Sequence, residues 1–269
     1  MSADTLERGS VTIMLLAIDA GNTNITFALY DGMALIADWR LSTNHDRTGD
    51  EYASVLYTLF AEKGLALGSV DCVGICSVVP LATVALVRFS EKHLSVKPLV
   101  VGPGIDLGIA VRYSPVSDVG ADRLANAVAA HEKYNRACVV VDFGTATTFD
   151  AVSSEGEYLG GAIAPGIQIS LEALFSRAAR LNDVDLVTPE CAIGSTTTES
   201  LRSGIVFGFA GQVDAVVERF RQEMGGDALV VATGGQAELI AQHSRTIELV
   251  DDLLTLDGIR IICQRLCSN

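Results

Sequence analysis

Two stretches of the chain repeat one uncommon pattern. A buried apolar run ends in a carboxylate, and a turn of glycine with amide or hydroxyl side chains follows at once. The first stretch is "LLAIDAGNTNITFALYD", where Asp19 precedes Gly21, Asn22 and Thr23. The second is "VVVDFGTATTFDAV", where Asp142 precedes Gly144 and Thr145. Glycine at such a place lets backbone approach a ligand with no Cβ in the way. Successive amides of the turn form an anion-binding nest, and the threonine hydroxyls add donors. The carboxylate repels phosphate, but it can hold Mg²⁺ or a bound water that reaches phosphate. Two such turns facing each other across a cleft would grip a polyphosphate from both sides. A single copy reads equally well as an Asx-turn at a strand end. Two copies in equivalent places weaken that plainer reading.

The surrounding elements repeat as well. "LLAID", "ITFALYD" and "MALIADWRL" read as three strands, the last two joined by an Asp-Gly turn. "GDEYASVLYTLFAEKG" has helical spacing and a closing glycine, and "VDCVGICSVV" is a strand. "PLATVALVRFSEKHL" is a helix opened by proline, and "KPLVVG" is a strand. The second half predicts strands in "CVVVD", "TTFDAVS" and "EYLGGAI", with "SEG" as a turn, then helices in "ISLEALFSRAARL" and "TTESLRSGIVFGFAGQVDAVVERFRQEM". "ALVVATGG" reads as a strand, "QAELIAQHS" as a short helix, "TIELV" as another strand, and "LLTLDGIRIICQRLC" as a terminal helix. Shared element order implies a duplicated fold. The expected division is a first domain over 14–118 and a second over 119–269, with 1–13 a loose extension and Met14 an alternative start.

Composition narrows the function. The chain has 269 residues, about half of them hydrophobic, and a net charge of −14. It has no lysine- or arginine-rich run, which argues against a nucleic-acid binder. An apolar run of membrane-spanning length and a signal peptide are both missing, so a cytoplasmic protein is expected. The acidic field repels anionic ligands, so a nucleotide would need local arginines, backbone amides and a divalent cation. The cysteine pairs Cys72/Cys76 and Cys263/Cys267 lack convincing zinc spacing, and all six cysteines read as buried free thiols. His45, His93, His131 and His243 read as surface or helix-end residues. No lysine follows a glycine, so there is no Walker A loop, and there is no G-x-G-x-x-G. "VATGGQ" at a strand end suits close approach of backbone to an adenosine.

The duplicated strands and phosphate-gripping turns resemble the superfamily of acetate and sugar kinases, Hsp70 and actin. More narrowly, "DAGNTNITFAL", "VGADRLAN", "VDFGTATTFD", "GGAIAPG" and "VATGGQ" stand in the order found in type III pantothenate kinases. The resemblance runs from about Met14 to the C-terminus. It implies an α/β fold of two duplicated actin-like (ribonuclease H-like) βββαβαβα domains with the active site in the cleft between them. It also implies ATP-dependent phosphorylation of pantothenate to 4′-phosphopantothenate, the first step of coenzyme A biosynthesis, by a homodimer. The rival readings are another kinase or phosphatase of the superfamily, and a non-catalytic regulatory homologue.

The resemblance also assigns roles. Asp19, Ala20, Gly21, Asn22, Thr23, Asn24, Ile25 and Thr26 would hold the ATP phosphates, with Asp19 near Mg²⁺, and Thr145 would reach ATP from the other side. Asp142 would bind K⁺ or NH₄⁺. Gly120, Ala121, Asp122 and Arg123 form "GADR", in which Asp122 would accept the proton of the substrate hydroxyl and Arg123 would meet anionic charge. Without the resemblance, Asp122 reads as a helix N-cap. Tyr113 and Thr197 match substrate positions. Otherwise they read as a half-buried strand tyrosine and a helix cap in "STTTES". The family pattern Gly-Lys-Asn/Asp-Thr is here Gly194-Ser195-Thr196-Thr197, which keeps the hydroxyl and loses the lysine.

Overall fold

A computed structural model describes residues 13–177 and 184–267. The expected extension over 1–13 therefore lies, Ile13 apart, outside the described residues, as does the predicted helical stretch 178–181. The first half supplies strands β1 (Met14–Ala20), β2 (Asn24–Asp31), β3 (Ala34–Ser42), β4 (Cys72–Ser77) and β5 (Leu99–Val100), with helices α1 (Gly49–Glu62) and α2 (Pro80–Phe89). Next come β6 (Ala110–Val111), α3 (Ala121–Tyr134), β7 (Cys138–Phe143), β8 (Ala146–Val152) and β9 (Glu157–Pro165). The chain continues with α4 (Ile167–Arg177), α5 (Thr197–Glu223), β10 (Leu229–Gly234), α6 (Ala237–Ala241), β11 (Leu249–Val250) and α7 (Leu254–Cys267).

The strands form two sheets of one topology. The first has the order β3-β2-β1-β4-β5, and the second contains β9-β8-β7-β10-β11. In each, the first three strands are an antiparallel meander and the last two run parallel to the first. The turns match too. Gly32 (φ 58°) closes the β2–β3 hairpin and Gly156 (φ 79°) the β8–β9 hairpin, a left-handed conformation that glycine adopts without a steric penalty. The duplicated α/β architecture read from element order is thus the observed one.

Sequence patterning explains the local structure. In α1, Tyr52, Leu56 and Phe60 recur every four residues and are buried, while Thr48 and Glu51 close a capping box at its start. Strands β1 and β7 are almost wholly apolar because both of their faces are covered. One element escaped the reading. The two residues of β6 are too few for any periodicity, and they pair in parallel with β9 on the outer edge of the second sheet. The reading of six buried thiols also needs correction: Cys72, Cys76, Cys138 and Cys263 are buried, but Cys191 and Cys267 are exposed. Cys191 lies in a loop, and Cys267 ends the last described helical turn.

Helices α3 and α7 form a layer between the two sheets. One continuous core joins Leu15, Ala17 and Tyr30 of the first sheet to Cys138, Val140 and Tyr158 of the second through Leu124 and Val128 of α3 and Ile259 and Ile262 of α7. The two helices cross backbone to backbone at Gly258, where a Cβ would lie 2.0 Å from the Ala125 carbonyl oxygen. That contact cannot yield without moving a helix. Gly258→Ala is therefore expected to destabilise the protein by about 1–3 kcal/mol, seen as a lower denaturant midpoint with an unchanged slope. An unchanged midpoint would mean that the middle layer can slide freely.

Candidate active site

The two aspartate-bearing turns face each other. Thr23 Oγ1 of the β1–β2 turn lies 3.2 Å from Thr145 Oγ1 of the β7–β8 turn, a hydroxyl–hydroxyl contact between residues far apart in sequence. Each turn is closed by its own backbone. The Gly21 amide donates to the Asn24 carbonyl at 2.9 Å, and the Gly144 amide to the Ala146 carbonyl at 3.1 Å. Thr43 supports the first turn, its hydroxyl donating to the Gly21 carbonyl at 2.6 Å and its amide to the Thr23 carbonyl at 2.9 Å. Neighbouring backbone crowds the second turn. A Cβ on Gly166 would meet the Thr145 carbonyl oxygen at 2.2 Å. Gly234 (φ 91°), in the "ATGG" stretch, leaves room for the Asp142 carboxylate, since a Cβ there would lie 2.6 Å from Asp142 Oδ1.

Beneath these turns three carboxylates gather: Asp19 at the end of β1, Asp142 at the end of β7, and Asp122 in the first turn of α3. Burial, then repulsion from Asp122 and Asp142, pushes Asp19 up to about 8, and Arg40 offsets this in part. Burial, then repulsion from Asp122, pushes Asp142 up to about 7, while the Asn126 amide opposes the shift. The thiol of Cys76, in register with Asp19 on the neighbouring strand, is pushed well up by burial and by the same three carboxylates. Among the described residues, no ion pair involves Asp19, Asp122 or Asp142. Such a cluster suits a cation. Yet among the described residues no three His, Cys, Asp or Glu side chains are placed to hold a metal unaided. That fits the usual mode of Mg²⁺, which takes one or two carboxylates and completes its shell with water and substrate phosphate oxygens.

The elements around the cluster hold it in place. Asn126 Nδ2, one turn along α3 from Asp122, donates to Asp142 Oδ2 at 3.2 Å. The amide is oriented by Thr255 of α7, whose hydroxyl donates to Asn126 Oδ1 at 2.7 Å. Asn126 is fully buried, and its conformation follows from this pair of contacts. Arg123 turns away from the acids into the second half. Its Nε donates to Asp150 Oδ1 at 2.8 Å, with side-chain exposures of 7% and 0% for the two residues. The Tyr158 hydroxyl and Thr148 Oγ1 also donate to the Asp150 carboxylate, at 2.8 and 3.2 Å. Burial pushes Asp150 up to about 6, against the pull of Arg123 and these donors. Gly161 makes the space, since a Cβ there would meet Arg123 Nη2 at 2.7 Å. Half-buried Tyr113 joins this group, its ring 6.3 Å from that of Tyr158.

The structure corrects two readings from sequence. The N-cap of α3 is Gly120, and Asp122 is the second helical residue, its Oδ1 accepting from the Arg123 amide at 2.8 Å. Asp122 is therefore not the cap. Likewise α5 is capped by Thr196, which accepts from the Glu199 amide at 3.2 Å, while Thr197 is the exposed first residue of the helix. Ser195 reinforces that end through its amide and hydroxyl, both donating to Glu199 Oε2. The structure brings together Asp19, Gly21, Thr23, Asp122, Asp142 and Thr145. Tyr113 and Arg123 form an adjoining group. No hydrogen bond among the described residues links Thr197 to either. Asn126, Asp150, Tyr158 and Thr255 were missed. Their one sequence signal was polarity at buried helical or strand positions.

Two sheets of one topology, each bringing a carboxylate-bearing turn to the same place, form a site suited to gripping a polyphosphate. Comparison with known proteins narrows this. The family model for type III pantothenate kinase matches residues 15–219. A type III pantothenate kinase of Geobacter sulfurreducens is 50% identical over 252 residues, covering 94% of this chain and 99% of that protein. The chain belongs to the type III pantothenate kinase family. Two solved structures share the fold at low identity. A Campylobacter jejuni protein assigned to a Baf family of transcriptional activators has a TM-score of 0.60 at 18% identity, over 94% of this chain and 100% of that one. The ethanolamine utilization protein EutJ of Carboxydothermus hydrogenoformans has a TM-score of 0.53 at 16% identity, over 92% and 89%.

The raised carboxylates have a thermodynamic consequence. A group whose folded pKa lies above its unfolded value near 4 favours folding while both states are protonated, and that contribution is lost as pH rises through the folded pKa. For Asp19 the window runs from about 4 to about 8. In chelator-treated protein, Asp19→Asn should melt close to the parent at pH 4 and increasingly above it towards pH 8. Melting curves that stay parallel across this range would mean that Asp19 is not held uncharged by its neighbours.

Proposed function

We propose that the chain transfers the γ-phosphoryl group of ATP to the primary hydroxyl of pantothenate, giving 4′-phosphopantothenate for coenzyme A synthesis. The observation that carries the reading is the meeting of the two turns at Thr23 and Thr145 above Asp19, Asp122 and Asp142. Family membership adds the substrate. The amides and hydroxyls of residues 19–26 hold the β- and γ-phosphates from one side, and Thr145 holds them from the other. Asp19 would hold Mg²⁺, which would offset phosphate charge, and Asp142, whose carboxylate is fixed by Asn126, would hold a monovalent cation, K⁺ or NH₄⁺. The residues after β10, around Gly234, take the adenosine.

Asp122 is the base in this scheme. It stands at the N-terminus of α3, between the two halves, and accepts the proton of the pantothenate hydroxyl as that oxygen attacks phosphorus. Phosphoryl transfer asks little of base strength, because its loose transition state depends more on position and charge neutralisation. Arg123, locked by Asp150, would offer its Nη2, which makes no hydrogen bond among the described residues, to anionic substrate charge, with Tyr113, Gly120 and Ala121 assigned to the same substrate site. Thr197 belongs to the substrate site as well. In the homodimer we infer, that site lies near the subunit interface. The division near residue 118 and a cytoplasmic location are part of the same proposal. No helix among the described residues is long and apolar enough to cross a membrane.

A regulator without catalysis would have no use for three acids held at a cost in stability. The test is a coupled assay of purified protein with ATP, Mg²⁺, K⁺ and pantothenate, run beside Asp122→Asn. The parent should form 4′-phosphopantothenate. The variant keeps the size and the Gly120 cap and removes one of the three repelling charges, so it should melt at or above the parent and still bind ATP while kcat falls about 10²–10⁴-fold. An unchanged kcat would remove Asp122 from the chemistry.

A further inference from the structure

Three of the six cysteines lie together, away from the cleft. Cys72 begins β4, and pairs in register with Leu15 while Cys76 pairs with Asp19, so it sits at the end of the sheet opposite the carboxylates. Cys263 and Cys267 lie one turn apart on α7, at the end remote from Thr255. Cys72 Sγ is 3.0 Å from Cys267 Sγ. Cys72 is 6% exposed, Cys263 is fully buried against Gly74, and Cys267 is open to solvent. The remaining thiols are isolated. Cys76 and Cys138 are buried apart, and exposed Cys191 donates its thiol to the Ile193 carbonyl.

We propose that Cys72 and Cys267 are a reactive dithiol that exchanges with small-molecule disulfides and closes an intramolecular disulfide. Cys267, the thiol such a reagent can reach, gives up its proton and as the thiolate attacks one sulfur of RSSR. This forms a mixed disulfide and releases RSH, which carries the Cys267 proton. The Cys72 thiolate then displaces the second RS⁻ from Cys267. Two protein thiols are oxidised and one small disulfide is reduced to two thiols. Sulfurs already 3.0 Å apart need to close by about 1 Å to reach the bond length of about 2.05 Å, and Cys267 is exposed.

The charge state fits the second step. Thiol hydrogen bonds from Cys263, and then Cys267, draw Cys72 down to about 6 against the opposing effect of burial, while burial and the hydrogen bond to Cys72 push Cys267 up to about 11. A thiolate attacks disulfides and a thiol does not, so the resolving sulfur is ready at neutral pH. Fully buried Cys263 acts as a donor to it and is closed to reagents.

The experiment incubates the intact protein with oxidised glutathione at pH 8, quenches with acid, alkylates under denaturing conditions and maps peptides by mass spectrometry. The expected product is a peptide linking Cys72 to Cys267, with loss of two hydrogens and no glutathione retained on either residue. In Cys72→Ser the glutathione adduct should persist on Cys267. In Cys267→Ser, a change at an exposed helix end that leaves the fold intact, Cys72 should stay reduced. A glutathione adduct that persists on Cys267 of the parent would overturn the proposal. So would a Cys72–Cys263 link, or a pair that stays reduced in excess oxidised glutathione.

Discussion

Repulsion among Asp19, Asp122 and Asp142 is the constraint on which the rest of the structure depends. Three acids near one point, with no arginine or lysine paired to them among the described residues, are stable in one of two ways: they take up protons, or they take up a cation. The raised positions of Asp19 and Asp142 are the first solution, which the protein uses alone. A cation shared with phosphate is the second. The overall charge of −14 sharpens the point, because an anionic ligand approaches this surface unaided only against the field.

The duplicated fold makes that arrangement possible. Each sheet ends its central strand in an aspartate, and the layer of α3 and α7 between the sheets sets how far apart the two ends stand. The same layer delivers Asp122 from the start of α3 and, one turn on, Asn126, whose amide is turned towards Asp142 by Thr255 of α7. Contact at Gly258 and Ala125 leaves no slack in that spacing. The Arg123–Asp150 pair is a second fixed point. A buried ion pair is costly to desolvate and is tolerated where hydrogen bonds satisfy its remaining atoms. Here Tyr158 and Thr148 supply them to the carboxylate, while the buried Nη2 of Arg123 makes no hydrogen bond among the described residues.

Much of this was legible in the sequence. The repeated apolar-run, aspartate and glycine turn marked both strand ends, and the Asp-Gly and Ser-Glu-Gly turns marked the hairpins that follow. These are local signals, set by backbone conformation within a few residues. What stayed hidden was set by distant contacts. Asp150 follows Phe149 in an ordinary strand, and nothing adjacent shows that Arg123 will meet it. Asn126 and Thr255 are polar residues on helices, and become informative once α3 and α7 are packed together. The caps fell one or two residues from where they were read, at Gly120 and Thr196, because several hydroxyl or small residues in a row compete for the position. Strand β6 exists through its pairing with β9 and has no pattern of its own.

The central claim is that the cleft admits a polyphosphate because a divalent cation offsets its carboxylates. The most direct measurement is calorimetric titration of ATP into the protein at constant ionic strength, in K⁺ buffer, once with Mg²⁺ and once with EDTA. Affinity should be at least about tenfold weaker without the divalent ion, a difference of about 1.4 kcal/mol or more, with a smaller gap for Asp19→Asn. Equal affinities with and without Mg²⁺ would contradict it.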